Sequence, residues 1–258
     1  MPTLQIEQQK LFYNIYGAGD PLLLLHGWMQ TGHELLPLAR ALSEHFTVIL
    51  PDLPGYGKSV PPFRSFPANF YERDARSMAT FLKALKVHPA HILGYSDGGE
   101  VALLLGVLYP DRCRSVVAWG ATGFFTPDLC AYAQTHIAPM QVSAEQRALH
   151  PRQNVAAWPG QWANAFCQMI AAGGDLSLSK VGALRSPVLL MLGDQDRLNP
   201  VEAGRQFIDS AREQQPELLH RFRVFAQTGH AIDVERPVQF LETVLGFLHE
   251  LGSRSLLH

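Results

Sequence analysis

The sequence predicts an α/β chain with a mainly parallel, doubly wound sheet and one helical insertion. Three observations carry this. The short runs Leu22–Leu25, Phe46–Leu50, His91–Leu93, Ser115–Trp119 and Pro187–Leu192 are apolar throughout, the pattern of strands buried on both faces of a parallel sheet. Segments with helical spacing alternate with them, which argues helices on both faces. From about Phe124 to Val181 the strand rhythm stops, and then it resumes.

Leu4–Ile6 and Leu11–Tyr16 alternate weakly around a polar turn and read as an antiparallel hairpin at the sheet edge. The turn Gly17–Pro21 leads into the first buried strand, Leu22–Leu25, which ends in His26-Gly27-Trp28-Met29. Glu34–Glu44 is a helix, and Phe46–Leu50 is the next strand, closing on a Gly/Pro loop that runs to Ser59. Val60–Pro67 is proline-rich and irregular. Phe70–Leu85 is an amphipathic helix. The His91–Leu93 strand and the buried helix Val101–Leu108 follow, then the strand Ser115–Trp119. In the insertion, Trp158, Trp162 and Phe166 fall at i, i+4 and i+8, one stripe of a helix. That stripe serves either ordinary packing or a substrate wall. Pro187–Leu192, the helix Val201–Arg212, the strand Phe222–Phe225 and the closing helix Pro237–Leu251 complete the chain. The expected organisation is a core of residues 1–123 and 182–258 with a helical cap of residues 124–181.

The 258 residues are 47% apolar and 17% charged, enough for one sizeable core. A net charge of −2 gives no reason to expect a nucleic-acid partner. No apolar run approaches the ~20 residues of a membrane span, and the start lacks a signal-peptide pattern, so the expected location is cytoplasmic. Cys113, Cys130 and Cys167 are odd in number and widely spaced, which argues against a disulfide framework and against a metal site. No metal or organic cofactor is implied. The sequence does not give the oligomeric state, and a monomer is the expectation.

The motif that organises the chain is Gly94-Tyr95-Ser96-Asp97-Gly98-Gly99, between a strand and a helix. Small residues two before and two after Ser96 allow the tight strand-to-helix turn of a nucleophile elbow. Such a turn lifts the hydroxyl above the sheet and aims the first free helical N–H groups at whatever it attacks. The plain alternative is a glycine-rich N-cap with no chemistry. A serine hydroxyl needs a base near neutral pH, and the base needs a carboxylate to orient it. In this order of elements the acid and then the histidine follow the serine. Of the histidines beyond the Pro187–Leu192 strand, His220 precedes the last strand, His249 lies on the closing helix and His258 in the tail. His230 follows the last strand directly, beside Gly229, and is the candidate base. Asp194 and Asp196 are both candidate acids; Asp196 is placed further along its loop to reach His230, while Asp194 is placed to bond loop backbone.

Ligands of open α/β sheets sit beyond the carboxyl ends of the strands. His26-Gly27-Trp28, Ser96, Asp194/Asp196 and His230 all fall at such ends. Oxyanion donors are expected from the backbone N–H groups of Asp97 and Trp28. His26 is expected to hold its loop by a hydrogen bond. The Asp97 side chain is open to two readings: a first-turn carboxylate favoured by the helix dipole, or a counter-ion for a substrate ammonium beside the scissile carbonyl. Glu100 either adds negative potential or is a solvated helix position.

These residues resemble the α/β-hydrolase superfamily along nearly the whole chain. Within it the chain is similar to the biphenyl hydrolase-like, or valacyclovir hydrolase, group. The matching stretches are His26-Gly27, Phe66 to Ala75, Leu82 to Lys86, Leu93 to Gly99, Trp119-Gly120-Ala121, Gly193 to Asp196 with Pro200, and Gly229-His230. The resemblance implies the α/β-hydrolase fold, Ser96 as nucleophile, Asp196 as acid, His230 as base and Asp97 as the holder of a substrate α-amine. It implies hydrolysis of small α-amino acid esters through an acyl-enzyme. On the substrate-wall reading of the helical stripe, Trp158 and Trp162 stand against the substrate. Tyr95 departs from that group's usual Trp, and the cap from Thr126 to Leu178 matches poorly. Competing readings are a general carboxylesterase, a carbon–carbon bond hydrolase or cofactor-free haloperoxidase using the same triad, and a slow-turnover small-molecule receptor. Dehalogenases and epoxide hydrolases need a carboxylate where Ser96 stands.

Overall fold

A computed structural model describes residues 2–255. Eight strands form one sheet: β1 (Thr3–Ile6), β2 (Gln9–Tyr16), β3 (Asp20–Leu25), β4 (Phe46–Pro51), β5 (Ala90–Tyr95), β6 (Cys113–Trp119), β7 (Val188–Gly193) and β8 (His220–Phe225). Their spatial order is β1-β2-β4-β3-β5-β6-β7-β8, with β1/β2 and β2/β4 antiparallel and the rest parallel. The winding reverses between β3 and β5. Their outgoing loops therefore diverge to opposite faces and leave a crevice at the carboxyl ends.

The helices are α1 (Leu36–Leu42), α2 (Phe70–Leu85), α3 (Asp97–Leu108), α4 (Leu129–Tyr132), α5 (Ala144–Leu149), α6 (Trp158–Ala171), α7 (Val201–Gln214), α8 (Ile232–Glu235) and α9 (Pro237–Ser255). Strand side chains alternate between two apolar layers. Leu23, Leu25 and Ile92 face α2, α3 and α7, whereas Leu22, Leu24 and Leu93 face α1, α8 and α9. Leu22 to Leu25 are fully buried, which is why the run shows no polar alternation. On α2, Phe70, Tyr71, Asp74, Ala75, Met78, Phe81 and Leu82 are buried, and Lys86 ends the helix in the left-handed conformation at φ 58°. Helix α3 is buried from Asp97 to Val107, so it shows almost no amphipathic contrast.

Several bounds differ from those expected. Helix α1 is shorter at its start, because Glu34 turns back to accept from Thr31 N (3.1 Å) and Oγ1 (2.8 Å). Helix α3 begins at Asp97, four residues before the apolar run that betrayed it. Strand β8 begins at His220; it is an edge strand, and exposed Arg221 breaks the apolar pattern.

Between β6 and β7 lie α4, α5, α6 and short irregular turns. A capping box, Ser143 with Gln146, starts α5, and Pro159 sits in the first turn of α6. This segment docks on the 52–64 loop. Gly57 N donates to His150 Nδ1 (2.8 Å), and Arg64 N donates to Gln153 Oε1 (2.8 Å). Arg64 itself is buried against Asp74 at 2.7 Å, with its guanidinium over Tyr56, Phe66 and Phe70.

The cysteine expectation is corrected. Cys130 and Cys167 form a disulfide joining α4 to α6, and Cys113 is buried and free. Their separation of 37 residues gave no framework pattern, but the segment doubles back and lays α4 beside α6.

Candidate active site

Ser96 joins β5 to α3 with φ 53° and ψ −120°, a strained conformation for a residue bearing a side chain. The turn exists because its neighbours are small. A Cβ on Gly94 would strike the carbonyl of Gly98, and one on Gly98 would lie 2.6 Å from the carbonyl oxygens of Leu25 and His26. The second contact packs the elbow against the end of β3. Ser96 N donates to Trp119 O (2.9 Å) and Glu100 N to Ser96 O (3.0 Å), so both flanks of the turn are anchored.

Ser96 Oγ lies 2.9 Å from His230 Nε2, and His230 Nδ1 lies 2.7 Å from Asp196 Oδ2. The carboxylate accepts from Nδ1–H and so keeps the proton on that nitrogen, which leaves Nε2 to accept from the serine hydroxyl. Asp196 also accepts from Leu198 N (2.9 Å), Asn199 N (3.2 Å) and Asn199 Nδ2 (3.1 Å). Burial alone would raise its pKa; the bond to and charge of His230, with the Leu198 and Asn199 bonds, outweigh burial and hold it below the ordinary value. Asp194 instead accepts from Thr228 N (3.2 Å). Asp233 accepts from Trp119 Nε1 (2.9 Å), and Glu235 accepts from Gly229 N (2.8 Å). His220 opens β8, His249 lies on α9, and His258 is outside the described residues.

The loop after β3 runs beside the serine: a Cβ on Gly27 would lie 3.2 Å from Ser96 Cβ. His26 holds this loop. Leu53 N donates to its Nε2 (2.9 Å), and its Nδ1 lies 2.8 Å from Gly27 O. Burial lowers the His26 pKa to about 3, so the ring stays neutral. Trp28 follows, half-buried, with its ring 5.5 Å from that of Trp162. The N–H of Asp97, first in α3, has no acceptor within the helix. Of the two backbone groups expected as oxyanion donors, Asp97 thus follows Ser96 directly, and Trp28 lies on the loop that runs beside it.

Behind the serine the Asp97 side chain is buried, 4% exposed. Its Oδ1 accepts from Tyr71 Oη (2.7 Å), and Trp162 Nε1 donates to both oxygens, at 3.2 and 3.3 Å. Burial raises its pKa to about 6, against the bonds from Tyr71 and Trp162 and the charge of Arg64. Glu100, one turn on, is buried and accepts from Thr122 N (2.8 Å) and Gly123 N (3.0 Å); burial raises it to about 7. Among the described residues no cation pairs with either carboxylate. Ser96, Asp97, Glu100, Tyr71, Trp162 and Asn199 line one small cavity of ≈ 20 Å³.

Of the two tryptophans of α6, the structure brings Trp162 to this cavity but not Trp158. Trp158 sits one turn earlier and packs on Tyr56 (5.2 Å between ring centroids), His150 (4.8 Å) and Phe66 (5.9 Å), where α6 meets the 52–64 loop. Tyr71 and Asn199 were not singled out from the sequence. Tyr71 looks like one more aromatic on the apolar face of α2, and Asn199 like loop filling before Pro200.

A family model for the alpha/beta hydrolase fold matches residues 20–166. The chain is 31% identical over 205 residues to human serine hydrolase BPHL, covering 74% of this chain and 68% of that protein. It is 25% identical to 2-hydroxymuconate semialdehyde hydrolase of Pseudomonas sp. (strain CF600), covering 93% and 90%. The solved structure of an enol-lactonase from Burkholderia xenovorans LB400 superposes with a TM-score of 0.72 at 20% identity, covering 96% of this chain and all of that one. The last likeness speaks to the fold alone.

Proposed function

The chain belongs to the α/β-hydrolase family and is a serine hydrolase, and on that premise we propose that it cleaves small α-amino acid esters through an acyl-enzyme. Ser96 Oγ attacks the ester carbonyl while His230 Nε2 takes its proton. The backbone N–H groups of Asp97 and Trp28 receive the developing oxyanion. His230 returns the proton to the leaving alcohol. Water, deprotonated by His230, then attacks the acyl carbonyl and releases the free amino acid and Ser96. Asp196 keeps the imidazole in the right tautomer and stabilises its protonated form.

One observation carries the amine part of the reading: the buried Asp97 carboxylate shares a cavity with Ser96 and forms no ion pair among the described residues. Two donors fill part of its acceptor capacity of about four lone-pair sites, and the remainder suits an ammonium group. The anionic ring-cleavage products of a carbon–carbon hydrolase would meet two carboxylates there. The test compares kcat/KM for alanine methyl ester and methyl lactate, a neutral ester of the same size, in wild type and Asp97→Asn. The expected result is a strong preference for the free amine, lost in the variant by about 30-fold or more, the usual consequence of removing one member of a buried charge pair. Equal treatment of both esters by both proteins would sink the amine reading and leave a general esterase.

A further inference from the structure

We propose that Trp162, on cap helix α6, is a specificity-determining residue that fixes the Asp97 carboxylate for a primary ammonium group and closes the cavity to anything larger. The inference rests on the amino acid ester reading and adds to it a residue and a size limit.

The indole N–H points at a buried carboxylate rather than at solvent, reaching its two oxygens at 3.2 and 3.3 Å. With Tyr71 Oη at 2.7 Å from the opposite element, α2, it clamps the carboxylate between two fixed donors. A phenylalanine would pack in the same place but could not donate. The cavity of ≈ 20 Å³ has room for about one water-sized group, which an –NH₃⁺ matches and an N-methyl or N-acyl substituent exceeds. Its wall is not free to yield. Trp162 stacks on Phe166 (4.7 Å, 15°) and leans on Trp28 of the β3 loop (5.5 Å), while α6 is fastened to α4 by the Cys130–Cys167 bond. The same ring therefore touches the carboxylate that would hold the amine and the loop that would hold the oxyanion.

Trp162 also favours the charged form of Asp97. The other groups acting on Asp97 are Tyr71 and Asp74 on α2, Tyr56 and Arg64 on the loop after β4, and Glu100 on its own helix. Arg64 is already committed to Asp74 at 2.7 Å. Removing the indole N–H therefore shifts the carboxyl upward.

The experiment measures the kcat/KM ratio of alanine methyl ester to methyl lactate, its neutral analogue, between about pH 5 and pH 7, below the ordinary α-amino pKa of about 7.7–8.0. Taking the ratio cancels every pH effect that the two esters share. In wild type the preference for the amine should rise with pH through about 6 as Asp97 ionises. In Trp162→Phe the midpoint should move up by about one to two pH units, the worth of one hydrogen bond to a charged group, so the preference at pH 6 should drop by at least about fivefold and still be rising at pH 7. The ratio of alanine to N-methylalanine methyl ester should be at least about tenfold in wild type, one further carbon group in a pocket of about one water's volume, and should shrink in Trp162→Leu. An unmoved midpoint and unchanged N-methyl discrimination, with the amine preference still abolished by Asp97→Asn, would overturn the role of Trp162 alone. If Asp97→Asn leaves the amine preference intact, the underlying amine reading fails, and this inference fails with it.

Discussion

Replacing Asp196 by Asn tests the proposed relay at the atom where the structure leaves least freedom. Asp196 Oδ1 accepts from Leu198 N and Asn199 N, at 2.9 and 3.2 Å, so an amide at 196 must keep its oxygen there. Its nitrogen then takes the place of Oδ2, which lies 3.1 Å from Asn199 Nδ2 and 2.7 Å from His230 Nδ1. Three donors would converge. His230 can respond only by accepting at Nδ1, which moves its proton to Nε2, 2.9 Å from Ser96 Oγ. The imidazole then cannot take the serine's proton. A wrong tautomer in such a relay costs about 10⁴-fold in kcat, or about 5.4 kcal/mol of barrier. The assay is kcat for alanine methyl ester, with near-UV circular dichroism to check the fold and Ser96→Ala as the floor. Adding Asn199→Ala should relieve the donor clash and recover stability, but not turnover, because the tautomer stays wrong. A loss in Asp196→Asn smaller than about tenfold would refute the reasoning, since His230 would then be oriented by something else.

Two further outcomes are expected. Glu100, raised by burial from an ordinary value of 4.5 to about 7, leaves the native state holding the extra proton between those values. Unfolding free energy should therefore fall as pH rises across that window, by on the order of 3 kcal/mol, and level off above it. The depressed Asp196 carboxyl acts oppositely, its contribution being present above the unfolded pKa and lost as pH falls through the folded one. Urea unfolding of wild type and Glu100→Gln at both ends of the window checks this, and an equal fall in both proteins would count against it. The cysteines give a second test. Denatured without reductant, the protein should show one free thiol, Cys113, and after reduction three. Cys130→Ser with Cys167→Ser should lower stability by up to about 4 kcal/mol on the chain-closure estimate for a 37-residue separation. Three thiols without reductant would disprove the pairing. The count made on thiols trapped at lysis also tests the cytoplasmic expectation, because disulfides persist in oxidising compartments.

The sheet was legible because burial on both faces leaves a run such as Leu22–Leu25 with no polar interruption, and its shortness sets it apart from the longer apolar run of α3. The elbow was legible for a related reason: the close approach of Gly98 to the carbonyls of Leu25 and His26 admits only a glycine, so the constraint is written in residue type. His230 and Ser96 could be named from their order along the strands. What the sequence hides is contact between segments far apart. Trp162 and Asp97 are 65 residues apart, Tyr71 and Asp97 are 26 apart, and neither pair leaves a local pattern. Trp158 and Trp162 look alike in sequence, on one helical stripe a turn apart. Only the placement of α6 decides that one faces the serine cavity and the other the 52–64 loop. The disulfide went unseen because pairing depends on how the insertion doubles back, which the spacing of three cysteines does not encode.

The charges behind Ser96 bear on why a hydrolase would carry this arrangement at all. The first turn of α3 offers positive potential to an oxyanion, and a neutral residue at 97 would leave that potential intact. A carboxylate there offsets it. A second at Glu100 adds to the offset, and burial makes both costly to ionise at neutral pH. For an uncharged ester this is a loss twice over, in stability and in transition-state stabilisation. For an ester bearing an ammonium group the sign reverses. The cation removes the repulsion at the moment of binding, recovers the desolvation cost as an ion pair in a cavity of its own size, and leaves the helix dipole free to act on the oxyanion. Selectivity would then come from a site held in an unfavourable state until the right charge enters. That is why the discriminating comparisons above change the charge of the substrate while holding its size, or change its size while holding its charge.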